Sequence, residues 1–144
     1  GGQARASVVR RLRDAGVGER RYASFIAPTV RMGPSSHLLP GTILLDGVVV
    51  TADVAVGRHV VVMPNCTITH DDVLEDFATL AAGVSLGGSV RVGEAAYIGM
   101  NASVRQGLRI GVAATVGMGA VVLDDVPDEA TWAGVPAREI GRSS

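Results

Sequence analysis

Residues 65–77 read NCTITHDDVLEDF and place His70 directly before Asp71 and Asp72, in a chain otherwise rich in Val, Ile, Leu, Gly and Ala. An imidazole with a pKa near neutrality is the side chain best suited to take a proton from an attacking amine or hydroxyl. A carboxylate beside it, Asp71, would fix the ring's tautomer and stabilise the imidazolium. Other chemistries are narrower. All 13 basic residues are Arg, so a lysine nucleophile or Schiff base is excluded. The one cysteine, Cys66, excludes an internal disulfide framework and a thiolate zinc cluster. His37 and His59 read as surface residues whose spacing does not suit a metal shared with His70, so no metal is expected.

What must hold these residues is a repeat. Stepping in sixes from Ile26 gives Met32, Leu38, Leu44, Val50, Val56, Val62, Ile68, Leu74, Leu80, Leu86, Val92, Ile98, Val104, Ile110, Val116 and Val122, all aliphatic or Met. A helix repeats at 3.6 residues and a simple strand at 2, so neither generates sixes. A coil with three flat faces does. The leading aliphatic should fill an interior corner, the residue four later should be small, and the Gly that often follows the aliphatic should help the backbone turn.

At eighteen residues per coil, residues eighteen apart stack at about 4.8 Å. His70, third in its hexad, then points outward with Ala52 stacked on one side and Gly88 on the other. Gly88 offers an unobstructed backbone N–H one coil along. A donor aimed at a developing oxyanion is worth about 3 kcal/mol of barrier, so base and donor together are the parts an acyl transfer needs. Spacing supplies their proximity and leaves their orientation open. Asp72 falls in the small, buried fifth column, where a carboxylate needs hydrogen-bond partners or a raised pKa. Cys66 shares that column and reads as an inert core thiol.

The 144 residues amount to one domain's core, 47% apolar but only 3% aromatic. A net charge of -1 makes no case for nucleic acid or an anionic membrane. No apolar run approaches a membrane span and nothing resembles a secretory signal, so a cytoplasmic location is expected. Residues 1–25 should carry a short helix, Ala4 to Ala15, with Val8, Val9 and Leu12 on one side and Gly16 as C-cap. Residues 26–127 should form the solenoid and residues 128–144 a terminal turn and cap, since a last coil otherwise exposes an unpaired edge. Trp132 would cap that coil or lie against a ligand's adenine. The start GGQARAS, without Met, reads as a piece of a longer chain.

Three stretches carry a resemblance: THDDVLEDF, GGSVRVGEAAYIGMNASV, and VGMGAVVLDDVP followed by GVPAR. Over residues 25–140 the chain resembles the hexapeptide-repeat left-handed β-helix acyltransferases of the sialic-acid O-acetyltransferase and nucleotide-amino-sugar N-acetyltransferase type. The resemblance implies an all-β, left-handed parallel β-helix and a homotrimer. It implies His70 as general base, Asp71 as its support, and Gly88 N–H on the acetyl carbonyl. Acetyl-CoA would lie in a groove between subunits, its pantetheine passing Gly117 and Met118 and its nucleotide end near the GVPAR turn, where Arg138 could meet the phosphates. The N-terminal helix resembles the end of a Rossmann-like domain that holds the nucleotide sugar. The chain departs from the family pattern at Thr79, where a second histidine is common, at Met63, where Asn is common, and at Asp72. The first expectation is N-acetylation of a nucleotide-linked amino sugar; O-acetylation of a sugar hydroxyl and a non-catalytic scaffold are the alternatives.

Overall fold

The computed structural model describes residues 1–143. Seventeen two-residue strands, β1 (Phe25–Ile26) through β17 (Val121–Val122), follow one another at intervals of six, and each ends on a leading aliphatic of the repeat. They form three parallel sheets: sheet A starts β1-β4-β7, sheet B is β2-β5-β8-β11-β14-β17, and sheet C is β3-β6-β9-β12-β15. Residues eighteen apart are paired throughout, as in Thr79↔Tyr97. This is the left-handed parallel β-helix, at three hexads to the coil.

The leading aliphatic sits within each strand rather than at a corner. The corner is made by the third and fourth residues, and the fourth takes a left-handed conformation, as in Asp53, Asn65, Asp71 and Gly83. The glycines after the aliphatic therefore do not serve the turn. They answer a close approach between coils: a Cβ on Gly99 would lie 2.5 Å from the Met118 amide nitrogen. From Leu44 to Val122 the leading aliphatics and the fifth-position residues make one continuous core. In the first coil Ile26 stays 46% exposed, because no coil precedes it.

The helix α1 (Gly2–Asp14) ends as expected, with Gly16 left-handed, its N–H on the Arg13 carbonyl and that of Val17 on Leu12. Its packing face differs from expectation. Gly2 and Ala6 are buried while Val8 and Leu12 stay exposed. A Cβ on Gly2 would collide with the Phe77 carbonyl, so the helix rests on a solenoid edge through its smallest residues. No helix among the described residues is long and apolar enough to cross a membrane.

Past Val122 the period lapses. Strand β18 (Ala130–Gly134) pairs Trp132 with Val116, sixteen residues away, and turns back as β19 (Ala137–Arg142) in an antiparallel hairpin. Trp132 packs against the end of the core, which assigns it to capping. Gly99→Ala should lower stability by about 1–3 kcal/mol through forced backbone displacement. Gly18→Ala, with open space around it, should leave stability unchanged; urea unfolding of both variants checks the contrast.

Candidate active site

The edge between sheets B and C is formed by the third and fourth residues of each sheet B hexad. It runs Ala52–Asp53, His70–Asp71, Gly88–Ser89, Gln106–Gly107 and Asp124–Asp125. Backbone bonds lock the stack: Asp71 N–H donates to the Ala52 carbonyl, and Ser89 N–H to that of His70, at 3.0 and 2.9 Å. Asp71 holds φ at 63°, a conformation that Asp tolerates better than most side chains.

The His70 ring lies directly over Gly88. A Cβ there would be 2.3 Å from both Cε1 and Nε2 of the imidazole. The ring thus fills the place a Gly88 side chain would take, and only glycine lets the imidazole come so near the backbone. His70 Nδ1 is 2.9 Å from Asp71 Oδ2, with the two side chains 65% and 58% exposed. An ionised carboxylate only accepts, so this pair places the proton on Nδ1 and leaves Nε2 free as a base.

Asp72, the fifth residue of the hexad, is fully buried. Its Oδ2 accepts from Thr69 N–H and its Oδ1 from Val90 N–H, both at 2.8 Å. Burial pushes its pKa up to about 6, against the opposing pull of those two N–H donors and of His70. Cys66 is buried as expected, with burial pushing its thiol pKa up.

The other sequence-derived candidates lie elsewhere. Gly117 and Met118 sit at the edge between sheets A and B, one face away from His70. The Gly117 N–H is engaged by the Trp132 carbonyl at 2.8 Å, and Met118 is 72% exposed. Arg138 projects from the hairpin to within 3.9 Å of Asp124, which lies on His70's own edge. Asp124 follows His70 by three coils, about 14 Å at the usual strand spacing. One chain thus joins His70, Asp71 and Gly88, sets Arg138 farther along their edge, and keeps Gly117 and Met118 apart.

The sequence places His37 and His59 at the surface. His37 is exposed, but His59 is buried. Tyr22 meets its ring edge-on at 4.6 Å, Phe77 stacks on it at 5.2 Å, and its Nε2 is 3.5 Å from Glu19 Oε2. The non-periodic segment before the first strand folds back and covers it. Thr79 is also buried, on sheet A, where its hydroxyl accepts from the Arg5 guanidinium at 2.9 Å. Arg5 further donates to the carbonyls of His59, Phe77 and Ala78, fastening α1 to the solenoid. Sequence reasoning missed Arg5, whose partners lie 54 to 74 residues away. Among the described residues no three His, Cys, Asp or Glu side chains gather as a metal site.

No protein-family model matches the chain. A GDP-perosamine N-acetyltransferase mutant from Caulobacter crescentus, solved with CoA and GDP-perosamine, is 32% identical at a TM-score of 0.91, over 97% of this chain and 65% of that one. The acetyltransferase domain of PglB from Neisseria gonorrhoeae, solved with acetyl coenzyme A, is 30% identical at a TM-score of 0.89, over 96% and 66%. These structural neighbours are hexapeptide-repeat acetyltransferases, and this chain is similar to them in sequence and in its β-solenoid fold. UDP-3-O-acylglucosamine N-acyltransferase of Methylobacterium sp. (strain 4-46) is 27% identical over 100 residues, which are 69% of this chain and 23% of that relative. The chain thus spans under a quarter of that curated relative and about two thirds of the solved chains.

Two outcomes follow from the geometry. In Gly88→Ala the new methyl group should swing the exposed imidazole aside with little loss of stability, seen as a changed His70 Cε1–H resonance in an unchanged fold. For Asp72, the folded pKa lies above the ordinary 3.8, so the folded state binds the proton more tightly. Its stabilising contribution is then complete below about pH 4 and lost as pH rises through about 6. Wild-type stability minus that of Asp72→Asn should fall across this window by at most about 3 kcal/mol; a flat difference in urea unfolding would contradict the shift.

Proposed function

We propose that this chain binds acetyl-CoA and N-acetylates a nucleotide-linked amino sugar. The observation that carries the reading is the His70 imidazole seated over the Gly88 backbone with Nδ1 held by Asp71, in a chain about a third identical to an enzyme solved with CoA and GDP-perosamine.

His70 Nε2 takes a proton from the acceptor amine as its nitrogen bonds to the thioester carbonyl carbon. The Gly88 N–H donates to the resulting oxyanion. The C–S bond then breaks, and the imidazolium returns its proton to the departing CoA thiolate. Asp71 holds the tautomer and stabilises the imidazolium. Acetyl-CoA extends along the edge from His70 towards Arg138 and Asp124, whose separation of about 14 Å suits an extended pantetheine arm, with Arg138 turned to the phosphates.

The functional unit in this reading is a homotrimer. Closed cyclic assembly would bring the edge bearing Gly117 and Met118 of one protomer against the His70 edge of its neighbour and so complete the groove. Helix α1 in this reading closes a substrate-binding unit for the nucleotide sugar, and the enzyme works in the cytoplasm, where acetyl-CoA is at hand.

Titration calorimetry with acetyl-CoA is the direct test. Wild type should bind, and His70→Ala should bind equally well while losing about 10²- to 10⁴-fold in kcat with GDP-perosamine or another nucleotide amino sugar as acceptor. A folded wild-type chain that binds no acetyl-CoA would sink the reading and favour a non-catalytic scaffold.

A further inference from the structure

The hydrogen-bond ladder of sheet B is regular except beside His70. Strands β2 and β5, β11 and β14, and β14 and β17 each share two register pairs, whereas β8 (Thr67–Ile68) and β11 (Ser85–Leu86) share only Thr67↔Ser85. One coil before and one after, the residue following the leading aliphatic donates its N–H along the ladder: Thr51 to the Ile68 carbonyl at 3.0 Å, Gly87 to that of Val104 at 2.9 Å. Thr69 breaks the pattern. Its N–H turns to Asp72 Oδ2, and its hydroxyl takes the Leu86 carbonyl instead, at 2.9 Å.

A second substitution sits in the next coil. Fifth-position residues commonly close their own turn, as Asp72 N–H does on the Thr69 carbonyl and Ala102 N–H on that of Gly99. Val90 N–H goes to Asp72 Oδ1 in the preceding coil. The carboxylate therefore accepts one N–H from the residue just before His70 and one from the residue two after Gly88.

We propose that Asp72 is a positioning residue, its buried carboxylate replacing a ladder bond so that a side chain sets how the His70 imidazole sits over Gly88. Its consequence for turnover rests on the acetyl-transfer reading; the geometric claim does not. The placement suits the task. A ladder bond at Thr69 would draw the two coils together through backbone alone, whereas two N–H donors on separate oxygens hold both corners to one rigid planar group. The carboxylate is fully buried, so no solvent competes for those donors. Protonation near pH 6 would weaken the clamp, while the ionised form accepts both bonds.

Other hexads carry alanine at this position, among them Ala78, Ala96 and Ala102. Asp72→Ala thus removes the clamp and gives the coil a residue its own repeat uses, with Leu86 open to Thr69 N–H. The test compares labelled wild type and Asp72→Ala by NMR, following the His70 Cε1–H titration and the Gly88 amide, and then measures acetyl transfer with acetyl-CoA and GDP-perosamine. The expected result is a folded variant, melting at or above the wild-type temperature, whose His70 midpoint and Gly88 amide both move. Its kcat should drop about 10- to 100-fold, with KM for acetyl-CoA within about threefold. A variant with wild-type His70 titration, Gly88 amide and kcat would overturn the proposal, as would one that merely melts earlier with both signals in place. Should Asp72→Ala not fold, Asp72→Asn carries the same comparison, since it keeps one acceptor and faces the other N–H with an amide donor. Collapse of both variants would make Asp72 a folding requirement and end the proposal. A wild type that transfers no acetyl group would sink the acetyl-transfer reading alone, with the NMR comparison still deciding the positioning role.

Discussion

Parallel hydrogen bonding between coils eighteen residues apart is the interaction on which the rest depends. Each two-residue strand is too short to persist alone, and its backbone groups are satisfied only by the coils above and below. That demand fixes the period, because any inserted residue would put a polar side chain where an aliphatic one is buried. The core is consequently a stack of Val, Ile, Leu and Ala, with Thr42, Cys66 and Asp72 among its departures. It also explains the glycines after the leading aliphatics: coils spaced at the strand repeat leave no room for a Cβ where one corner passes close to the next, as at Gly99.

Within this frame the corners have the greatest freedom for polar choice. The third residue of a hexad faces outward and the fourth takes a left-handed turn, so His70 and Asp71 occupy the two positions that the core does not claim. The same stacking that builds the core delivers Gly88 under the imidazole. The arrangement proposed for catalysis is then obtained without a loop: imidazole, carboxylate and glycine backbone are adjacent through the repeat itself. Asp72 lies one step inside, where a carboxylate is costly unless its oxygens are matched, and both are matched by N–H groups flanking His70 and Gly88.

The solenoid was legible because a six-residue period is a strong signal repeated seventeen times, and each of the strands β1 to β17 falls where the period places it. The pairing of His70 with Gly88 was legible for the same reason. The segments outside the period were less so. His59 occupies the same turn position as Asp71 and by the repeat should face outward, yet Tyr22 and Glu19 return from the N-terminal segment to bury it. Helix α1 was recognisable from its pattern and its terminal Gly16. Its packing face was not, because the closeness of the Phe77 backbone, rather than apolarity, selects Gly2 and Ala6. Thr79 is tied to Arg5 by a bond spanning 74 residues that no local pattern announces.

The sequence by itself determined the coil, its register, the stacking of residues eighteen apart and the cluster at His70, since all of these follow from a backbone translation encoded locally in every hexad. The tertiary structure alone decided where side chains point and what covers them: the imidazole lying across Gly88, the Asp72 carboxylate joining two coils, His59 enclosed, Gly117 and Met118 one face removed. The physical reason is that a period specifies the position of each Cα, whereas rotamers and non-periodic segments answer to contacts between parts of the chain that share no repeat.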